Sequence, residues 1–447
     1  MLNVKNLSFK KEKNLRTSKI RLSMLCLSVM AAFSATAQTS DSDRIKALEQ
    51  KFNQSLSVID QLQKRIVELE QRQTPGTATP VAAVPEVASR VETLERTVSD
   101  LASSSSKAPT DVGLPLHGFI DVGYATASGA RPAKDNPGFK LGTFDIYLTP
   151  QLGDRVKGLV ELAFEYNAEG GLGTDLERLQ LGYVFSDNLT LWGGRFHTPY
   201  GYWNTAFHHG AQIQTSITRP RMIAFEDQGG ILPSHTVGAW ANGKIDSGIG
   251  RWHLDAFAGN SDSMRDGTLD YNASGYNNST PSYGFNIGLS PKSAPGLTVG
   301  LHGLSERINS YDAGSALNGQ VDLQMLGAYA FFESDSWELI GEYYSFNNND
   351  LYGVAGKNQS SAGFVQAAYL LADRLTGFAR YEKADLSKKD PYFALMNTGS
   401  SYNQSTIGLR YELDPRSALK VQYEQIVDDG NAGQTVNWLR AQYSVRF

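Results

Sequence analysis

The chain has one cysteine and seven methionines, and beyond its start it has no sustained apolar run. The single cysteine, Cys26, sits inside an apolar leader, so the exported portion is expected to carry no disulfide, no thiolate metal site and no cysteine nucleophile. Mean hydropathy is -0.33, which argues against a bundle of membrane-spanning helices, each needing about 20 apolar residues. Basic residues number 41 against 46 acidic ones, and the net charge of -5 still includes a basic leader. The exported protein is therefore more acidic than that figure, and nucleic acid is not an expected partner. What the chain has instead is 43 glycines, 21 tyrosines and 20 phenylalanines. Short strands, turns and membrane-interface belts consume such residues.

The leader carries Lys10, Lys11, Lys13, Arg16, Lys19 and Arg21, then "LSMLCLSVMAAFSATAQ" with small residues at Ala35 and Ala37. This pattern predicts a secretory signal peptide over 1–37. Heptad positions Ile45, Leu48, Phe52, Ile59, Leu62, Ile66 and Leu69, interrupted at Ser55, predict a periplasmic coiled coil within 38–73. A Pro/Ala/Thr linker over 74–86 separates it from a second short coiled coil over 87–102, carried by Val87, Val91, Leu94, Val98 and Leu101. A Ser-rich linker over 103–113 follows.

From residue 114 to 447 the apolar period changes to two. Segments of about ten residues alternate with turns, giving about sixteen candidate strands. Connections after even-numbered strands are short, such as "DN" at 187 and "DR" at 373, whereas those after odd-numbered strands are mostly long. Parity of that kind predicts an all-β transmembrane barrel of antiparallel strands, tight turns at one rim and long loops at the other, preceded by the α-helical coiled coil. Hydrocarbon offers no hydrogen-bond partner, so such a sheet must close on itself. In the last segment, "NWLRAQYSVRF", Leu439, Ala441, Tyr443, Val445 and Phe447 share one face, and Arg440, Gln442, Ser444 and Arg446 share the other.

The same alternation turns Asp121, Asp145, Glu161, Glu165, Glu338, Glu342, Glu382, Glu412 and Glu424 inward, with Arg178, Arg380, Arg410 and Lys420. Sixteen strands leave an aqueous lumen, and charges in such numbers are expected to be reached by water or paired across neighbouring strands. The longest connection, about 200–235, joins the fifth and sixth strands next to "GRFHTPYGYWNTAFHHG". Trp203, Phe207, Ile213, Ile217, Met222, Phe225, Ile231 and Leu232 make it too apolar for open solvent, so it is expected to fold inward. Its polar residues and neighbours, Arg195, His197, Tyr202, Trp203, His208, His209, Arg219, Arg221, Glu226 and Asp227, then become the candidates for a constriction that meets solute. Guanidinium groups match carboxylate and phosphate, or they bridge to Glu226 and Asp227 and hold the loop down. Adjacent His208 and His209 point apart on an extended chain, so a zinc site would need His197 or His235 to complete it. No motif surrounds Ser216 or Ser234 that would mark a hydrolase. No catalytic residue, metal or cofactor is expected.

Leader, coiled coil, linker and a large barrel ending in Phe447 together resemble the coiled-coil outer-membrane porins of the DcaP type. The barrel is similar, more loosely, to the phosphate-selective porin O/P family, although no arginine ladder for phosphate stands in it. The resemblance implies an outer-membrane channel with its N-terminal segment in the periplasm. It also implies a homotrimer, and a third external loop that narrows the pore. Small hydrophilic, anionic organic solutes would cross by passive diffusion. Further partners would be outer-membrane lipid and lipopolysaccharide, and peptidoglycan through the coiled coil. Two other classes fit parts of the chain: an outer-membrane tether with a plugged barrel, and a surface hydrolase.

Overall fold

Residues whose side chains alternate between lipid and lumen form extended strands, and sixteen of these pair edge to edge in the computed structural model. It describes residues 116–129, 137–150, 152–166, 171–207, 211–226, 228–270 and 280–447. The leader, both coiled coils and their linkers lie outside these residues, as do His208, His209 and Asp227.

The wall runs β1 (Leu116–Gly129), β2 (Gly138–Leu148), β3 (Val156–Tyr166), β4 (Leu172–Ser186), β5 (Leu189–His197), β6 (His235–Asp246) and β7 (Gly250–Gly259). After a small hairpin, β8 (Ser263–Arg265) and β9 (Thr268–Leu269), it resumes with β10 (Ser282–Pro291), β11 (Leu297–Tyr311), β12 (Leu317–Glu333) and β13 (Trp337–Asp350). It ends with β14 (Lys357–Ala372), β15 (Leu375–Asp385), β16 (Tyr402–Asp414), β17 (Ser417–Asp428) and β18 (Gln434–Arg446). Neighbours are antiparallel throughout, and β10 pairs directly with β7 across the hairpin. The ring closes where β18 meets β1, from Phe119 opposite Arg446 to Gly129 opposite Val436. There Gly118 and Phe447 exchange N–H···O bonds of 3.1 Å in both directions, so no edge is left unpaired.

Loop lengths follow parity. Asp187–Asn188, Asp373–Arg374 and Pro415–Arg416 are two-residue turns at one rim, while the longer connections 198–234, 260–281 and 386–401 join strand ends at the other. Both ends of the ring, Leu116 and Phe447, lie at the short-turn rim. The outward face carries Leu301, Leu326, Val365, Ile407 and Val421, all exposed. Near the short turns this belt ends in Tyr183, Trp337, Tyr369, Tyr411 and Tyr443, and near the long loops in Tyr124, Phe139, Tyr166, Tyr381 and Tyr423. Two aromatic girdles flanking an aliphatic band are the surface a bilayer requires. Among the described residues no helix is long and apolar enough to cross a membrane.

The hairpin β8–β9 was expected only as loop. It turns through Asp266 (φ 48°) and Gly267 (φ 77°), the left-handed pair that a two-residue hairpin needs, and β8 lies parallel to the end of β11.

A charge placed on the lipid belt should cost more with depth. Val365→Arg, near the middle of β14, is expected to destabilise the barrel by about 2–4 kcal/mol, and Leu413→Arg, at the end of β16, by about 0–1 kcal/mol. Urea unfolding in lipid vesicles measures both.

Candidate functional site

The chain leaves β5 at His197 and re-enters the wall at His235, and the described residues between them fold into the lumen. The neck is closed by the Thr198 amide donating to the Ser234 carbonyl at 2.8 Å and by Asn204 Nδ2 donating to the Thr198 carbonyl at 2.9 Å. Beyond the neck the chain turns at Gly201, whose φ of +63° favours glycine, and a Cβ there would stand 2.4 Å from the Glu342 carboxylate on β13. That closeness lets Glu342 accept from the amides of Tyr202 (3.1 Å) and Trp203 (2.6 Å) at the start of a single helical turn, α1 (Trp203–Ala206). Tyr344 also donates to Glu342, and Asn286 on β10 donates to the Gly201 carbonyl at 2.8 Å. The Trp203 ring is wholly buried, edge-on to Phe364 at 5.7 Å. Tyr202 stacks on Phe331 at 4.2 Å.

The loop's second half is gripped by wall cations. Lys420 donates to the carbonyls of Ala211, Gln214 (2.7 Å) and Ser216 (3.1 Å). Arg410 donates to those of Gln212 (2.6 Å) and Gln214 (2.8 Å). Arg380 reaches Ser216 Oγ, the Thr218 carbonyl and hydroxyl, and the Arg219 carbonyl, at 2.9–3.2 Å. Wall acceptors take the loop's amides and hydroxyls in turn: Gln422 from the Ile217 amide (2.7 Å), Glu424 from the Thr218 hydroxyl (2.7 Å) and Glu382 from the Arg221 amide (2.6 Å). Many inward charges are therefore held by the folded loop, a partner that the sequence reading of water contact or cross-strand pairing does not include. Lys420 is 1% exposed and Glu382 0%. A buried charge is tolerable when its hydrogen bonds are made, and here a folded loop makes them. Pairing along or across strands also occurs, as in Arg178 with Glu161, Arg380 with Glu382, and Arg440 with Glu424.

Behind the loop, Met222, Ile223, Ile231 and Leu232 pack with Leu304, Leu323, Ile340 and Phe346 from the wall. The connection from β15 to β16 adds a short helix, α2 (Pro391–Leu395), capped by Asp390 and placing Tyr392 and Phe393 in the same cluster. Tyr392 donates to the Ile231 carbonyl at 2.7 Å. One half of the barrel is thus filled. In the other half a cavity of about 670 Å³ remains between the loop and β1, β2, β17 and β18.

Of the residues that the sequence singles out, Arg219, Arg221 and Glu226 line this cavity. Arg195, His197, Tyr202 and Trp203 are held instead at the neck or against the wall; Arg195, for example, donates from Nε to the Glu177 carbonyl at 3.1 Å. Asp227, one of the two bridging partners expected for the loop arginines, lies outside the described residues, and the described contacts of these arginines are to groups other than Glu226. Arg219 lies 3.9 Å over the Phe225 ring and donates to the Ile223 carbonyl and Asn204. Arg221 pairs with Asp428 at 2.5 Å and lies over Tyr402. Glu226 turns away to the Ser234 amide (2.5 Å) and His235 (3.1 Å). Burial, the largest influence, brings Arg219 down to about 10, against the upward pull of Tyr200 and Glu226, so it stays a cation at neutral pH. Burial would raise the Glu226 carboxyl, but His235 and backbone amides hold it below its ordinary value. The cavity's far side adds Arg440, paired with Glu424 at 3.0 Å and lying over Trp438, together with Asp121. Reading by sequence put Arg440 on the watery face but did not mark it as part of the constriction.

No family model matches the chain, and no curated protein matches it by sequence. Among solved structures, an anion-selective porin from Comamonas acidovorans is similar with a TM-score of 0.53 at 13% identity, over 75% of this chain and 99% of that one. The outer membrane channel DcaP of Acinetobacter baumannii is similar with a TM-score of 0.51 at 16% identity, over 75% of this chain and 97% of that one. The chain shares the closed sixteen-strand porin barrel with both.

Arg380→Met removes the clamp on 216–219 and leaves Glu382 buried without its partner, a loss of about 3–5 kcal/mol. Residues 216–219 are expected to lift from the wall while the rest of the loop stays anchored and the barrel remains closed. Planar-bilayer recordings should show a larger and noisier single-channel conductance than the wild type.

Proposed function

We propose that this chain is an outer-membrane porin through which small hydrophilic, anionic organic solutes diffuse passively. The observation that carries the reading is a pair of partly engaged, partly exposed arginines at the constriction. Glu424 has both oxygens engaged, by Thr218, Gln422 and Arg440. Asp428 likewise accepts from Ser400, Gly430 and Arg221. Each guanidinium offers five N–H groups, and Arg221 and Arg440 give one apiece to these carboxylates while standing about a quarter exposed to the cavity. A passing carboxylate or phosphate can therefore take up the remaining N–H groups of Arg221 and Arg440. The lipid-facing girdles and the long-loop/short-turn polarity support insertion in the outer membrane among lipid and lipopolysaccharide, with the short-turn rim facing the periplasm.

In this reading the N-terminal leader directs export. The coiled coils lie in the periplasm within reach of peptidoglycan, and three copies assemble. Discrimination is steric at the loop and electrostatic at the arginines, so no cofactor or catalytic residue is needed. A plugged barrel acting as a tether would give no ion-sized steps in a planar bilayer.

Each arginine removed takes one charge from the lining, worth about 1 kcal/mol at 4 Å in water, or about fivefold in a permeability ratio. Reversal potentials in a salt gradient should shift toward cations in Arg221→Gln and in Arg440→Gln, and further in the double variant. Unchanged potentials would confine both residues to holding the loop.

A further inference from the structure

At the loop neck the alternation of β4 breaks. Glu177 and Arg178 are consecutive, yet both are buried on the lumen side, at 4% and 9% exposure. The register explains it: Arg178 stands opposite Glu161 and Leu176 opposite Leu162, so Glu177 is the extra residue of a bulge. Bulges re-aim side chains. Arg178 is taken by Glu161, while Glu177 is turned toward the ends of β5 and β6. There His197 and His235 face each other as a cross-strand pair, with ring centroids 4.9 Å apart at 70°. His235 Nε2 lies 2.7 Å from Glu177 Oε2, and one ligand atom from each of Glu177, His197 and His235 lies within 4.8 Å of the others.

We propose that Glu177, His197 and His235 form a site for one divalent transition metal, zinc by its chemistry, at the root of the constriction loop. Two imidazole nitrogens and a carboxylate oxygen are a donor set suited to zinc. With metal–ligand distances of about 2.1 Å, tetrahedral ligand atoms stand about 3.4 Å apart, so side-chain adjustments alone complete the geometry. The surroundings are built for it. Glu226 Oε2 stands 3.1 Å from His235 Nδ1, and Glu226 Oε1 is fixed by the amides of Ser234 (2.5 Å) and His235 (3.1 Å). A carboxylate holding the remote nitrogen of a ligating histidine fixes the tautomer that leaves Nε2 free to bind. Phe225 stacks on His235 at 5.6 Å and covers the site from the loop side. Because His197 and His235 flank the loop, the metal would tie its two ends to β4.

The test uses the full chain folded in detergent, stripped with chelator and titrated with Zn²⁺, with Co²⁺ as a spectroscopic probe and bound metal counted by mass spectrometry. One equivalent per barrel is expected, with visible Co²⁺ bands of a tetrahedral nitrogen/oxygen site and a higher melting temperature with zinc. Glu177→Gln and His197→Gln should each weaken binding at least about tenfold, and Glu226→Gln about 10- to 100-fold, in barrels that still migrate as folded before heating. Binding below one equivalent in the wild type, or equal affinity in these variants, would overturn the assignment. If a variant does not fold, the Co²⁺ spectrum of the wild type decides alone: octahedral or absent bands reject the site.

Discussion

A long segment of chain inside a barrel brings its own peptide groups away from bulk water, and each must find a partner. The contact between the carbonyls of 211–219 and the side chains of Lys420, Arg410 and Arg380 is the interaction on which the rest of this molecule depends. It satisfies the loop and the wall together. Without the loop, these cations and Glu382 would face an open lumen of far larger bore. Without the cations, the loop's carbonyls would have no reason to stay on β15–β17. The apolar cluster under Trp203, Met222 and Leu232 adds non-directional stabilisation, and the ionic contacts give that cluster its register.

The interior is consequently asymmetric. From β10 to β16 it is packed like the core of a soluble protein, with Tyr344, Phe346, Tyr392 and Phe393 all but inaccessible. From β17 through β1 to β2 it stays open and is lined by paired arginines. The filled half sets the width of the cavity, and the open half presents its polar groups.

Much of this was legible in the residue order. Period-two alternation gave the sixteen wall strands and their lipid face, because burial on one side of a sheet leaves a mark on every second residue. The apolar content of 200–235 showed that the loop needed shelter. Pairings such as Arg221 with Asp428 were not legible, because they join residues about two hundred positions apart whose register depends on every intervening strand. The bulge at Glu177 was hidden for a related reason, since two inward residues in succession look like a lapse in a pattern until the partner strand is known. The Asp266–Gly267 turn did carry its signal in plain sight, inside a segment that read as loop.

The seam between β18 and β1 has a consequence for assembly. It lies within the arc that forms the far bank of the aperture, with Asp121 on one side of the join and Arg440 and Gln442 on the other. Until β1 and β18 meet, the cavity has only its loop side, and a partly zipped intermediate encloses nothing. The enclosed cavity therefore arrives with the final stitch.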